Sequence, residues 1–130
     1  MIVVDASAVV DVLLRVPTAD NIANRLLRSG ETLHAPHLLD LEVTQVLRRH
    51  EARRQAEPVR CQEALDDLAQ IRLVRHPHNV LLGRIWELRN NLSAYDAAYV
   101  ALAEMLEVPL LTRDRRLAGS TGHSARIDLV

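Results

Sequence analysis

The sequence predicts an α/β fold: a parallel sheet of four or five strands with helices on both faces. Three observations predict it. Short apolar runs such as Ile2-Val3-Val4 show no polar alternation, as strands buried on both sides require. These runs alternate with segments of helical periodicity. Strands that alternate with helices build parallel sheets, and the helix pairs after the early strands leave room for right-handed crossovers. The length of 130 residues, with 48% apolar and 25% charged content, suits one domain over 1–130 with a real core.

The first strand, 2–4, runs straight into Asp5-Ala6-Ser7 and a helix-like stretch to Leu14. Asp5 thus stands at the carboxyl end of a strand, the edge where open parallel sheets build their sites. Asp5 or Ser7 equally suits the cap of the next helix. Pro17 and Thr18 break the pattern. Residues 20–28 form an amphipathic helix with Ile22, Leu26 and Leu27 inward, ended by Ser29-Gly30. A second strand covers 32–35 and stops at Pro36.

The longest helix spans 38–54, with Leu39, Val43, Val46, Leu47 and His50 on its apolar side. Glu42 lies at the margin of that side, either snorkelling to solvent or reaching along the sheet edge toward Asp5. Arg48, Arg49, Arg53 and Arg54 make the end of this helix basic; a match to the helix dipole explains this better, taken alone, than a path for RNA phosphates. Pro58 opens a helix over 59–71, with Leu65, Leu68 and Ala69 inward and Cys61 as a small core residue. A third strand covers 72–76. His76-Pro77-His78 has no third histidine or cysteine beside it and reads as linker, not as a metal clip.

A helix over 80–92 packs through Leu81, Ile85, Trp86 and Leu88 and ends at Asn90-Asn91. In the helix that follows, Asp96, Tyr99, Val100, Ala103 and Leu106 share one stripe, apolar apart from Asp96. A carboxylate on a core-facing stripe needs compensation. Ser93 and Asp96 have the spacing of a capping box, so a local role competes with a functional one. A fourth strand over 108–111 carries Thr112-Arg113-Asp114 at its carboxyl end. A short helix over 115–118 and a last strand over 125–129 complete the chain.

Composition narrows the chemistry. The net charge of −1 exerts no global pull on nucleic acid or membrane, so any basic site must be local. All 16 basic residues are arginine, which removes mechanisms that need a lysine, among them the P-loop and Schiff bases. With only Trp86, Tyr95 and Tyr99 aromatic, a stacking platform for single-stranded bases is not expected. The single cysteine allows no internal disulfide and fits a reducing, cytoplasmic setting. Asp5 and Asp11 interrupt the apolar start, so it does not read as a signal peptide, and no apolar run is long enough to span a membrane.

Asp5, Glu42, Asp96 and Asp114 each have a local explanation as cap or surface charge, yet all four can be placed at one sheet edge. Crowded carboxylates repel, and some take up protons unless a cation neutralises them. Oxygen ligands without Cys or His suit Mg²⁺ or Mn²⁺. A carboxylate-bound divalent ion serves phosphodiester hydrolysis, acidifying a water and screening the phosphate charge.

At this point the chain resembles PIN-domain ribonucleases, and specifically VapC-type toxins of bacterial type II toxin–antitoxin pairs. The likeness rests on Ile2-Val3-Val4-Asp5-Ala6-Ser7-Ala8 and on Ala35-Pro36-His37-Leu38-Leu39-Asp40-Leu41-Glu42-Val43. It rests equally on Leu92-Ser93-Ala94-Tyr95-Asp96-Ala97-Ala98-Tyr99 and on Pro109-Leu110-Leu111-Thr112-Arg113-Asp114-Arg115-Arg116-Leu117. The order and spacing of these four segments cover essentially the whole chain. The resemblance implies a PIN-like fold and an Mg²⁺- or Mn²⁺-dependent endoribonuclease. It implies that a metal-bound water would attack in line, leaving a 5′-phosphate and a 3′-hydroxyl. It implies Asp5, Glu42, Asp96 and Asp114 as metal-binding acids, with Asp5 and Asp96 as direct ligands, and Ser7 and Thr112 as hydroxyls that orient them. Arg113, Arg115 and Arg116 are candidates for phosphate contact. A homodimer and a VapB-like antitoxin lying across the cleft are also implied. The alternative is a non-catalytic PIN-like module that binds RNA or protein. A metal-dependent phosphatase on a similar sheet is disfavoured by the missing lysine and the absence of an Asp-x-Asp pair.

Overall fold

The computed structural model describes residues 1–28 and 30–130. Strand β1 (Ile2–Val4) leads into helix α1 (Ala6–Leu13); a 3-10 turn at Pro17–Ala19 precedes α2 (Asp20–Leu26). Strand β2 (Leu33–Pro36) is followed by α3 (Leu38–Ala52) and α4 (Pro58–Gln70), then β3 (Leu73–His76). A 3-10 turn at Asn79–Leu81 opens α5 (Leu82–Glu87), followed by α6 (Ala94–Leu106), β4 (Leu110–Thr112), α7 (Arg115–Ala118) and β5 (Ile127–Leu129). The expected stop of α2 at Ser29 lies outside the described residues; Gly30 beside it has φ +83°, a conformation that suits glycine.

The five strands form one parallel sheet in the order β3-β2-β1-β4-β5. The chain first builds outward from β1 to β2 and β3, then returns to place β4 on the other side of β1. The strand order therefore reverses between β1 and β4, and the carboxyl ends of those two strands flank the crevice that such a reversal creates. Asp5 follows β1 and Asp114 follows β4.

Apolar pattern explains the layers. β1 and β4 are buried along their whole length. Helices α1, α3 and α4 pack on one another, while α6 packs on β1, β2 and β4 and carries α5. Seven consecutive residues of α6, Ala97 to Ala103, are buried. Its run of alanines lets the helix approach the sheet closely, with Leu102 and Tyr99 filling the remaining depth.

Several local expectations shift. In α4 the inward stripe is Cys61, Ala64 and Leu68, whereas Ala69 is exposed; the i, i+3, i+7 phase won over the alternative. The helix expected over 80–92 is shorter. The Leu88 N–H is shared between the Arg84 and Ile85 carbonyls, and the chain continues to Leu92 as turns. Trp86 is not in the core: it faces solvent, with the Arg89 guanidinium 4.5 Å from its ring centroid. His78 has a structural task, its Nε2 accepting the Leu38 N–H (3.1 Å) at the start of α3. His76 shares a hydrogen bond with His34 (2.9 Å). Among the described residues no helix is long and apolar enough to cross a membrane.

Leu102 is fully buried in α6. Leu102→Ala is expected to lower the free energy of unfolding by about 3 kcal/mol, read as a lower urea midpoint with an unchanged denaturant slope.

Candidate active site

The site begins with a buried carboxylate. Asp5 caps α1, its Oδ1 accepting the Ala8 N–H (3.1 Å). Ser7 Oγ donates to the same oxygen (2.6 Å), and Thr112 Oγ1 donates to Oδ2. Each hydroxyl is held in turn by the backbone after β4. Ser7 Oγ accepts the Arg113 N–H (3.0 Å), and Thr112 Oγ1 accepts the Asp114 N–H (2.9 Å). Two relays thus run from the turn after β4 to the two oxygens of Asp5. The cap and the clustered acid are one residue, so the two roles are not exclusive.

Asp114 is fixed by the same turn. It caps α7, its Oδ1 accepting the N–H groups of Arg116 (2.8 Å) and Leu117 (3.3 Å). Desolvation favours its neutral form, but the Leu117 and Arg116 backbone bonds and the Arg116 guanidinium outweigh it and hold the carboxyl below its ordinary value.

Glu42 projects from α3 toward the same crevice. Tyr99, on α6, donates its hydroxyl to Glu42 Oε1 (2.7 Å). Burial raises the Glu42 carboxyl above its ordinary value; the Tyr99 bond works against this, and the charges of Asp96 and Asp5 add to it. Asp5 is raised as well, first by burial and lastly by Asp114, despite its donors. Tyr99 is held firmly protonated by burial and by Glu42, which keeps it a donor. Sequence reading placed Tyr99 on the core stripe and gave it no task. The available signal was a phenol on an apolar stripe one turn from Asp96, since a buried hydroxyl needs a partner.

Asp96 sits at the start of α6. Ser93 Oγ accepts its backbone N–H (3.1 Å), so Ser93 is the cap. The Asp96 carboxylate instead meets Arg116, whose Nη2 lies 3.0 Å from Asp96 Oδ2 and 3.3 Å from Asp114 Oδ2. The four acids line one cleft of about 540 Å³, together with Ser7, Tyr99 and Arg116. A second, more polar cleft of about 440 Å³ shares Asp96 and Arg116 with it and continues along Asn90, Asn91 and Ser93.

The three arginines after β4 part company. Arg116 lines both clefts. Arg113, expected as a phosphate contact, is turned away: its Nη1 pairs with Asp11 (2.7 Å) and bonds Thr18 (3.2 Å). Arg115 is exposed and does not line either cleft.

Among the described residues no group of three or more His, Cys, Asp or Glu side chains is arranged to hold a metal ion as it stands. The donor chemistry nonetheless fits a hard cation: the four cleft acids offer oxygen alone, and a guanidinium already bridges two of them.

The raised acids have a consequence for stability. A carboxyl raised on folding stabilises the protein below its unfolded value and costs stability as pH climbs through its folded value. With divalent cations chelated, Glu42→Gln is therefore expected to raise the melting temperature at pH 7. The amide oxygen still accepts from Tyr99. The gain should vanish as pH falls below the ordinary Glu value of 4.5; a pH series of thermal melts checks it.

A family model described as PIN domain matches residues 2–119. The VapC ribonuclease Mb0985 of Mycobacterium bovis is 46% identical over 118 residues, which is 91% of this chain and 89% of the relative. Ribonuclease VapC1 of Mycobacterium tuberculosis is 43% identical over 129 residues, 98% of this chain and 96% of the relative. The crystal structure of VapBC2 from Rickettsia felis, bound to a DNA fragment from their promoter, shares the fold. Its TM-score is 0.71 at 14% identity, over 99% of this chain and 98% of that one. By the reach of the domain match and the identity to these relatives, the chain belongs to the PIN-domain family of VapC ribonucleases.

Proposed function

We propose that this protein is a metal-dependent endoribonuclease and the toxic member of a type II toxin–antitoxin pair. The observation that carries the reading is the clamp on Asp5: a buried carboxylate whose two oxygens are both aimed by the turn that also carries Asp114. A carboxylate kept for stability alone would be cheaper as an apolar residue. One kept for chemistry must be held in place before the reaction, which is what the hydroxyl relays do.

Asp5, Glu42, Asp96 and Asp114 would hold Mg²⁺ or Mn²⁺, with Asp5 and Asp96 as the first ligands. When bound, such an ion acidifies a water for attack on the phosphodiester and offsets the charge that builds on the phosphate. The chain's own groups do the rest. Ser7 and Thr112 orient Asp5. Tyr99 holds Glu42 Oε1, leaving its other oxygen to face the cleft. Arg116, exposed at 77% of its side chain and tethered only through its tip, offers a guanidinium to a phosphate beside the acids. Arg113 is occupied by Asp11, and we leave it out of the phosphate path.

An antitoxin and a second copy of the chain are the proposed protein partners. Exposed Leu27 on one side, and Leu82 and Trp86 one helical turn apart on α5, offer apolar surface for them.

Purified protein, free of antitoxin, is expected to cut RNA into discrete products with Mg²⁺ or Mn²⁺ and not in chelator. Asp96→Asn should lower the rate at least about a hundredfold with an unchanged thermal melt in chelator, and Ser7→Ala about tenfold with a lower melting temperature, because it leaves Asp5 Oδ1 and the Arg113 N–H each short of a partner. A folded wild-type protein that binds metal yet cuts no class of RNA would favour the non-catalytic binding module.

A further inference from the structure

The second cleft, of about 440 Å³, adjoins the one that holds the acids. Among the described residues that line the two, only Asp96 and Arg116 are common to both, so their ion pair stands at the junction. Past that junction the wall is built by the turns after α5 and by the cap of α6: Arg89, Asn90, Asn91 and Ser93. No aromatic ring is among the described residues that line it. Its two leucines are largely withdrawn, Leu92 half-buried and Leu117 buried.

The polar groups here are held in place without being neutralised. Arg89 is exposed, its guanidinium 4.5 Å from the Trp86 ring centroid and its Nη1 donating to the Trp86 carbonyl (2.8 Å). It has no carboxylate partner among the described residues, unlike Arg75 with Asp40 or Arg84 with Glu104. Trp86 therefore steadies a cation and leaves its charge unanswered. Asn91 is seated by Gly122, which has φ +87°; a Cβ added there would meet Asn91 Cγ at 2.8 Å. The exposed Asn91 amide both donates and accepts. Ser93 Oγ accepts the Asp96 N–H, which leaves its own hydrogen to donate.

A steadied cation, amides and a hydroxyl match a sugar–phosphate backbone. The guanidinium suits a phosphate, and a group that both donates and accepts suits a ribose hydroxyl. A base would find no ring to stack on. A peptide docking through apolar side chains would find only the edges of two leucines. We propose that the second cleft carries the RNA backbone next to the cut phosphate, with Arg89 on a phosphate and Asn91 on a ribose 2′-hydroxyl. The proposal rests on the ribonuclease reading and deepens it. The strand passes the Asp96–Arg116 junction from the acids to the asparagines. A contact made away from the reacting bond orients that bond. Since the 2′-hydroxyl separates RNA from DNA, Asn91 is the residue through which this end of the site favours RNA.

The test uses the full chain and a single-stranded RNA that the wild type cuts, with Mg²⁺ or Mn²⁺. Arg89→Gln is expected to raise KM about fivefold with little change in kcat, and to lessen the salt dependence of KM by about one phosphate contact. Arg72→Gln, before the amino end of β3 and so at the opposite edge of the sheet, should change neither. A single 2′-deoxy residue is then walked along the same RNA, outside the cut linkage. At one position it should lower kcat/KM of the wild type about fivefold. Asn91→Ala should lose about as much on the unmodified RNA, and the same deoxy residue should then cost nothing further. Thermal melts of all three variants should match wild type, since these side chains are exposed. A wild-type KM in Arg89→Gln, or a deoxy penalty that is absent everywhere or unchanged in Asn91→Ala, with wild type still cutting RNA, would overturn the proposal and leave the nuclease standing. Unchanged RNA kinetics with weakened binding of an antitoxin peptide would assign the cleft to protein instead. A wild type that cuts no RNA would overturn both readings together.

Discussion

The carboxylate of Asp5 is the constraint around which the rest of the site is arranged. It is buried at the end of a strand with apolar neighbours on both sides, so each oxygen must find a donor. The donors come from two places: the first turn of α1, immediately after it, and Thr112, 107 positions away in sequence. Ser7 and Thr112 can each donate to Asp5 because each accepts a backbone N–H from the turn after β4. Backbone polarity is thereby passed through two hydroxyls onto one carboxylate. The pairing of β1 with β4 makes this possible, and that pairing is what the reversal of strand order produces.

The second theme is unbalanced charge. Asp5 and Glu42 are both pushed toward their neutral forms by burial, and the neighbouring acids add to the effect. Asp114 escapes because α7 offers it backbone donors and Arg116 a counter-charge. The cleft therefore favours a cation, and in the protein alone the Arg116 guanidinium partly answers that demand. A side chain this exposed, on a four-residue helix, contributes little to stability and is free to exchange its partners.

How legible this was depends on the range of the cause. Element types along the chain followed from local pattern: the buried β-branched run of β1, the proline at the start of α4, and the serine cap of α6 all act within a few residues. Errors arose where two local signals had equal weight. Ala69 and Cys61 both fitted an inward stripe of α4, and packing against α3 and α1 chose Cys61. Trp86 had the period of a core residue, yet α5 is too short to bury a second face and a nearby arginine covers its ring instead. Arg113 was indistinguishable from Arg116 in sequence. Its position three residues earlier turns it toward α1, where Asp11 takes it.

By itself the sequence determined the alternation of strands and helices, the all-oxygen character of the four acids, the absence of lysine chemistry, and the helix starts at Ser93 and Pro58. These are properties of residue type and short-range spacing, which need no partner to be read. The tertiary structure alone decided which strand ends meet, that Ser7 and Thr112 serve the same carboxylate, that Tyr99 belongs to Glu42, and which arginine faces the cleft. Each of these is a pairing between groups distant in the chain, set by sheet order and helix packing. A hydroxyl or guanidinium has the same chemistry wherever it is written; only the fold supplies its partner.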